Sequence, residues 1–115
     1  MIVAVQVRGR VDARDKAKKT LDHIGLQDRN QAVLLDDNEA IRGQLSVAKD
    51  YITYGVVDDE TVEKLEEASG KNLETGDTVN LTPPSGGFKD TRQQVGQGGS
   101  LGKRDDMDDL VSRMV

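Results

Sequence analysis

An α+β fold built on a β-α-β-α-β core follows from three features of the first 57 residues. Valine recurs at every second position in 3–7; two later stretches repeat apolar residues at i, i+4 and i+7; short runs rich in β-branched residues separate and follow them. The first spacing is that of a strand and the second that of a helix buried along one side, so the two element types alternate along the chain. At 115 residues the chain has room for one main core with a small extension.

The opening "IVAVQVRGR" reads as a strand with Val3, Val5 and Val7 towards the core and Ala4, Gln6, Arg8 and Arg10 on the available side. Asp12 is placed to cap a helix carrying the stripe Ala17, Leu21, Ile24, which Gly25 ends in a left-handed conformation; Lys16, Lys18 and Lys19 stay on or near its wet side. "QAVLL" is a second strand. "DDNEA" supplies aspartates or Asn38 to cap a second helix with the stripe Ile41, Leu45, Ala48, and "YITYGVV" is the third strand. The expected core is a three-stranded antiparallel sheet with two helices on one face and the opposite face partly open. Residues 58–77 then hold one short helix, with Val62, Leu65 and Ala68 inward and Gly70 ending it. A short strand, a glycine-rich loop and a closing acidic helix with the stripe Met107, Leu110, Val111, Met114 follow.

Composition narrows the chemistry. There is no cysteine, which excludes disulfides, thiolate zinc sites and cysteine nucleophiles. The single histidine, His23, sits on the lysine-rich first helix just before Gly25 and reads as a surface residue of its last turn. No window approaches the roughly 18 apolar residues of a membrane span, and residues 1–7 are too few for a signal peptide, so a soluble cytoplasmic protein is expected. Fifteen of the 21 acids are aspartate and only three residues are aromatic, a composition suited to staying hydrated in concentrated salt.

A net charge of -5 argues against an anionic partner, but the charge is unevenly spread. Residues 58–80 carry two Lys/Arg against eight Asp/Glu, whereas residues 81–104 carry four against one. That second block, "PPSGGFKDTRQQVGQGGSLGKR" with its neighbours, is an anion-facing candidate, although a solvated charge run gives the same count. It is no Walker loop: Gly102-Lys103 has Gln97 where the first glycine belongs and Arg104 where a hydroxyl belongs. A calcium loop from Asp36 fails on Ile41 and Val47, where glycine and glutamate are required. Asp105, Asp106, Asp108 and Asp109 open a helix and suit its macrodipole. Glu66 and Glu67 point to different helix sides and form no acid–base pair. No cofactor and no enzymatic activity is expected.

"VQVRGR", "KAKKTLDHIGL" and "EAIRGQLSVAKDYITYG", in that order over residues 2–57, resemble the universal large-subunit ribosomal protein family L-thirty, called L-seven in eukaryotes; "AIRG" at Ala40 to Gly43 is the most specific piece. The remainder, with Pro-Pro-x-Gly-Gly, Gly-x-Leu-Gly-Lys and an acidic helix, resembles the archaeal branch. One departure is the bridge over residues 58–77, which is shorter than the helical insertion usual there. The resemblance implies a ferredoxin-like fold and a structural, non-catalytic role in the cytoplasmic large subunit. The partners it implies are large-subunit ribosomal RNA near the 5S RNA and neighbouring ribosomal proteins, with no membrane and no small-molecule substrate. On this reading residues 1–57 are the RNA-binding core and residues 58–115 the archaeal-type extension.

Within that frame the basic block reads as an RNA-contacting loop, in which glycines let backbone amides approach phosphate and Lys89, Arg92, Lys103 and Arg104 supply charge. Gln93, Gln94 and Gln97 add groups for sugar or bases. Arg8 and Arg10 leave the first strand, Arg14, Lys16 and Lys19 follow it, and Arg42 sits where the free N–H groups of the second helix favour phosphate. The competing reading is a ligand-sensing or oligomerisation module that uses the exposed sheet face.

Overall fold

The computed structural model describes residues 1–8, 14–26, 28–70, 72–81, 101–104 and 106–114. They form β1 (Ile2–Gln6), α1 (Asp15–Ile24), β2 (Gln31–Leu35), α2 (Glu39–Val47), β3 (Ile52–Val56), α3 (Asp59–Ser69), β4 (Thr78–Asn80), β5 (Gly102–Lys103) and α4 (Met107–Met114). The β-α-β-α-β order of the first part is as the periodicities dictate. Strands lie in the order β4-β2-β1-β3-β5. The middle three are antiparallel, with Val5 opposite Ala32 on one side and Thr53 on the other. β4 adds to β2 antiparallel, the strand expected before Pro83, while β5 lies parallel to β3 and pairs Lys103 with Tyr54. This last strand has no signal in the sequence, which reads Gly102 and Lys103 as loop.

Both faces of the sheet are covered. On one, Ile2, Ala4, Val33, Leu35 and Ile52 pack against Ala17, Leu21, Ile24 and Leu45 of α1 and α2. On the other, Val3, Val5, Ala32 and Leu34 pack against Leu65 of α3 and the whole stripe Met107, Leu110, Val111 and Met114 of α4. Two expectations are corrected here. The side of β1 bearing Ala4 and Gln6 is not available, because α1 and α2 lie over Ala4 and Gln6 is fully buried, its Nε2 donating to Arg8 O at 3.0 Å. The side bearing Val3 and Val5 is core as expected, but the layer over it is α3 and α4 and not α1 and α2; the face opposite those two helices is therefore not open, because the apolar stripe of α4 has to be buried somewhere and this is the apolar surface that accepts it.

Helix ends follow local chemistry. Gly25 ends α1 at φ 95 and Gly70 ends α3 at φ 74, the left-handed geometry that glycine adopts without Cβ strain. Asn38 caps α2 by accepting from Ile41 N, and Asp58 caps α3 by accepting from Thr61 N. α1 starts at Asp15 with Arg14 in the cap position and no side-chain cap bond, so the helix begins later than a cap at Asp12 requires; Asp12 itself lies outside the described residues. In α3 the inward residues are Thr61 and Leu65 with Val62 beside them, and Ala68 is exposed. The Thr61 hydroxyl draws that face round by donating to Asp108 Oδ1 on α4. The same oxygen accepts from Asp58 N at 3.2 Å, and Lys64 Nζ donates to Ser112 Oγ at 3.0 Å. Polar groups thus latch α4 to α3 around the apolar contact.

The chain reaches α4 by crossing β3 at Gly55. A Cβ there would stand 2.5 Å from Arg104 O and 2.9 Å from Met107 Cβ, closer than any side chain tolerates against backbone. Replacing Gly55 with alanine is therefore expected to destabilise the fold by about 1–3 kcal/mol or more, the range of overpacked interiors, with loss of the α4 contacts. Chemical denaturation with amide exchange across α4 checks this. Leu45→Ala, which empties a fully buried position between α2 and the sheet, is expected to cost about 2–5 kcal/mol in the same measurement while leaving α4 protected.

Candidate nucleic-acid interface

Where β1 ends, α1 begins and α2 runs into β3, the fold gathers cations that are far apart in sequence. Val7 N and Arg8 N both donate to Tyr51 O, at 2.9 and 3.0 Å, which ties the chain leaving β1 to the residue before β3. Arg8 is held there: its Nη1 donates to Asp50 O at 3.3 Å and its guanidinium lies 5.3 Å from the Tyr51 ring centroid. Arg14 is 78% exposed, and its Nη2 is 3.7 Å from the Asp50 carboxylate. An exposed pair at that separation contributes little, so Arg14 can exchange Asp50 for another anion.

Arg14 and Lys16 at the start of α1 and Lys49 just after α2 line a groove of about 290 Å³ together with Ser46, Val47 and Asp50. Beside it, Lys16, Lys19, Thr20 and His23 of α1 face Gln44 of α2 across a second groove of about 260 Å³. Lys16 is common to both, so a basic seam runs along the outer surface where α1 meets α2. Its cause is local: Ala17, Leu21 and Ile24 point α1 at the sheet, which turns Lys16, Lys19 and His23 outward. Lys49 has no signal of its own in the sequence. It follows α2 by two residues, and only the packing of α1 on α2 brings it opposite Arg14.

A second group lies at the other end of α2. Arg42 donates from Nε and Nη2 to the two oxygens of Asp37 at 2.6 and 3.0 Å, a bidentate pair on an exposed surface. The Arg42 guanidinium holds the Asp37 carboxyl below its ordinary value, and Asp37 in turn raises Arg42. The Ile41 N–H is already bonded to Asn38 and the Arg42 N–H to the Asn38 carbonyl, so fewer free amides remain there than a bare helix start offers. Lys103 is exposed on β5 beside Tyr54.

Arg104 is placed otherwise than its neighbour. Its side chain is 8% exposed, with Nε 3.3 Å from the Asp106 carboxylate and with Nε and Nη1 making no hydrogen bond. Burial pushes its guanidinium below the ordinary value. It is turned inward beside α4 instead of standing out with Lys103, because the close crossing at Gly55 leaves residue 104 against β3, where Arg104 N donates to Tyr54 O at 2.9 Å. Arg10, Lys89 and Arg92, like Gln93, Gln94 and Gln97, lie outside the described residues.

Other chemistries find little support in this geometry. Among the described residues no group of three His, Cys, Asp or Glu side chains can hold a metal ion, and Asp108 is engaged by Thr61 and Asp58. No described helix is long and apolar enough to cross a membrane. A module that uses a whole exposed sheet face loses its premise, since both faces are packed under helices except at a corner around Tyr54 and Val56.

Comparison with known proteins gives one consistent result. Residues 2–52 match the family described as ribosomal protein L30p/L7e. The large ribosomal subunit protein uL30 of Methanobrevibacter smithii is 30% identical over 152 residues, covering all of both chains, and that of Thermoplasma acidophilum is 29% identical over 153 residues, covering all of this chain and 93% of its own. The uL30 of Archaeoglobus fulgidus is 38% identical over 71 residues, 62% of this chain and 47% of its own. Alignments of 152 and 153 positions against 115 residues mean that this chain lacks a stretch those two relatives carry.

The contrast between Lys103 and Arg104 is open to test. A buried guanidinium with unmade hydrogen bonds has a desolvation cost that one carboxylate at 3.3 Å does not offset. Arg104→Met, which keeps an unbranched apolar stem and removes the charge, is expected to leave the melting temperature unchanged or raise it, and Lys103→Met to leave it unchanged. A fall for Arg104→Met comparable to a core truncation contradicts the placement.

Proposed function

The chain belongs to the ribosomal protein L30p/L7e family, and from that premise we propose that it binds ribosomal RNA of the large subunit through the basic seam between α1 and α2. Membership makes it a structural component of the cytoplasmic large ribosomal subunit and not an enzyme. The observation that carries the RNA-binding reading is the convergence of Arg14, Lys16 and Lys49 on one groove, with Lys19 continuing the line and Arg8 bracing its end. Groups spaced along a groove suit a phosphate backbone, and they lie on the opposite side of the sheet from the acidic surface of α3.

Contact begins, on this reading, with residues 1–57 as the RNA-binding core. The extension, residues 58–115, closes the second face of the sheet and carries a further set of cations, Lys89, Arg92 and Lys103, to the RNA. Arg10, outside the described residues, is a further contact on this reading. Arg42 and Lys103 make a separate contact at the far end of α2. Arg104, whose side chain is turned inward, drops out of this contact. A position near the 5S RNA, contacts with neighbouring ribosomal proteins and support of subunit assembly complete the proposal. In concentrated salt, where screening lengths fall to about 3 Å near 1 M, such binding depends on close fit and not on long-range attraction, which is consistent with so acidic a chain.

Binding of the full chain to large-subunit ribosomal RNA fragments, measured against salt concentration, tests this. Changing Arg14, Lys16 and Lys49 together to glutamine is expected to weaken binding and lower the salt slope by up to about three phosphate contacts, without loss of the fold since all three are on the surface. Lys64→Gln, on α3, is expected to change the slope little. Equal losses would mean that binding follows bulk charge.

A further inference from the structure

One corner of the sheet face that α1 and α2 cover stays open. β3 runs past the first turn of α2 there, and Ile2, Tyr54, Gly55 and Val56 form a concave floor of about 130 Å³ with Arg42 and Lys103 on its rim. Val56 is 52% exposed, on a strand whose neighbours are buried. Tyr54 is half-buried and packs against the α1/α2 core, and its pairing with Lys103 across the parallel β3–β5 ladder sends both side chains to the same face. Asp37 fixes the Arg42 guanidinium by two hydrogen bonds, so this cation is positioned before any ligand arrives.

We propose that this corner takes a single unpaired nucleotide of the RNA, with its base against Tyr54 and Val56 and its phosphate between Arg42 and Lys103. The proposal rests on the RNA-binding reading and deepens it, since among the described residues that line the seam between α1 and α2 there is no aromatic side chain, only groups suited to backbone. Three observations select this occupant. An aromatic ring beside two cations matches a base and its phosphate, the pairing by which proteins hold splayed-out RNA bases. A duplex is disfavoured, because Asp36, Asp37 and Glu39 are exposed next to the rim and a continuous backbone with a charge about every 1.7 Å would run into them. A protein partner is disfavoured by size: the exposed large apolar side chains among the described residues, Met1 and Val56, fall far short of the roughly 800 Å² per side of a stable interface.

The test uses the two tyrosines of the full chain, Tyr51 and Tyr54, as NMR reporters; Tyr51, 8% exposed, is the internal reference. Adenosine 5′-monophosphate is expected to shift the Tyr54 ring resonances upfield and leave Tyr51 in place, while ribose 5-phosphate leaves both unmoved. A single-stranded tetra-adenylate is expected to bind Tyr54→Leu about tenfold more weakly than the unaltered protein, and Arg42→Gln is expected to lose affinity for the monophosphate. Equal Tyr54 shifts from both small probes would reduce the corner to a phosphate patch and overturn the proposal, as would undiminished binding by Tyr54→Leu. The titration of the unaltered protein decides the matter even if Tyr54→Leu does not fold. If no base shift is seen while the glutamine variant of Arg14, Lys16 and Lys49 still loses ribosomal RNA binding, the corner falls and the seam stands. An unaltered protein that fails to bind ribosomal RNA overturns both.

Discussion

Strand β1 has no solvent-facing side. Ile2 and Ala4 lie under α1 and α2, and Val3 and Val5 lie under α3 and α4, all four between 0 and 2% exposed. A strand apolar on both sides has to be sandwiched, and the β-α-β-α-β unit supplies only one of the two layers. The extension is therefore part of the core and not an appendage to it. α4 brings four buried residues in eight, β4 and β5 lengthen the sheet at both edges, and Gly55 gives up its side chain so that the chain can cross β3 closely enough to deliver α4. With both faces occupied but for the corner at Tyr54 and Val56, function is confined to that corner, the outer helix surfaces, the strand ends and the loops.

The charge distribution follows the same layering. α1 turns Lys16 and Lys19 outward on one side of the molecule, and α3 turns Asp59, Glu60, Glu63 and Glu67 outward on the other. An overall charge of -5 is thus the sum of two surfaces with opposite character, and a polyanion can meet the first without meeting the second. Two carboxylates on the basic side are paired with its cations: Asp50 lies loosely against Arg14, and Asp37 is held closely by Arg42. Such pairs orient the cations in the free protein at little energetic gain, which is a form of preorganisation for an anionic partner.

Much of this was legible in the sequence, because the signals are local. The stripes of α1, α2 and α4 and the glycines at 25 and 70 state their own roles, and the strands announce themselves by composition. What was illegible depends on pairs distant in the chain. The sealing of the Val3 and Val5 side needs α4 to find it across 100 residues; β5 is two residues long and exists only by its ladder with β3; Thr61 replaces Ala68 on the inward side of α3 because Asp108 is waiting there. The candidate interface divides in the same way. Lys16 and Lys19 could be read from helical periodicity and Arg14 from its place just ahead of the helix, whereas the place of Lys49 opposite Arg14 and the inward turn of Arg104 come from tertiary packing alone.

The central claim is that RNA meets this protein along the α1–α2 seam, and cross-linking in assembled particles addresses it most directly. Large subunits containing the native protein, irradiated with ultraviolet light and digested, would yield protein–RNA adducts whose peptides are located by mass spectrometry. The account predicts adducts on peptides from residues 8–20 and 46–51, with the surface of α3, residues 59–69, free of them. Adducts concentrated on α3, with none along the seam, would contradict it.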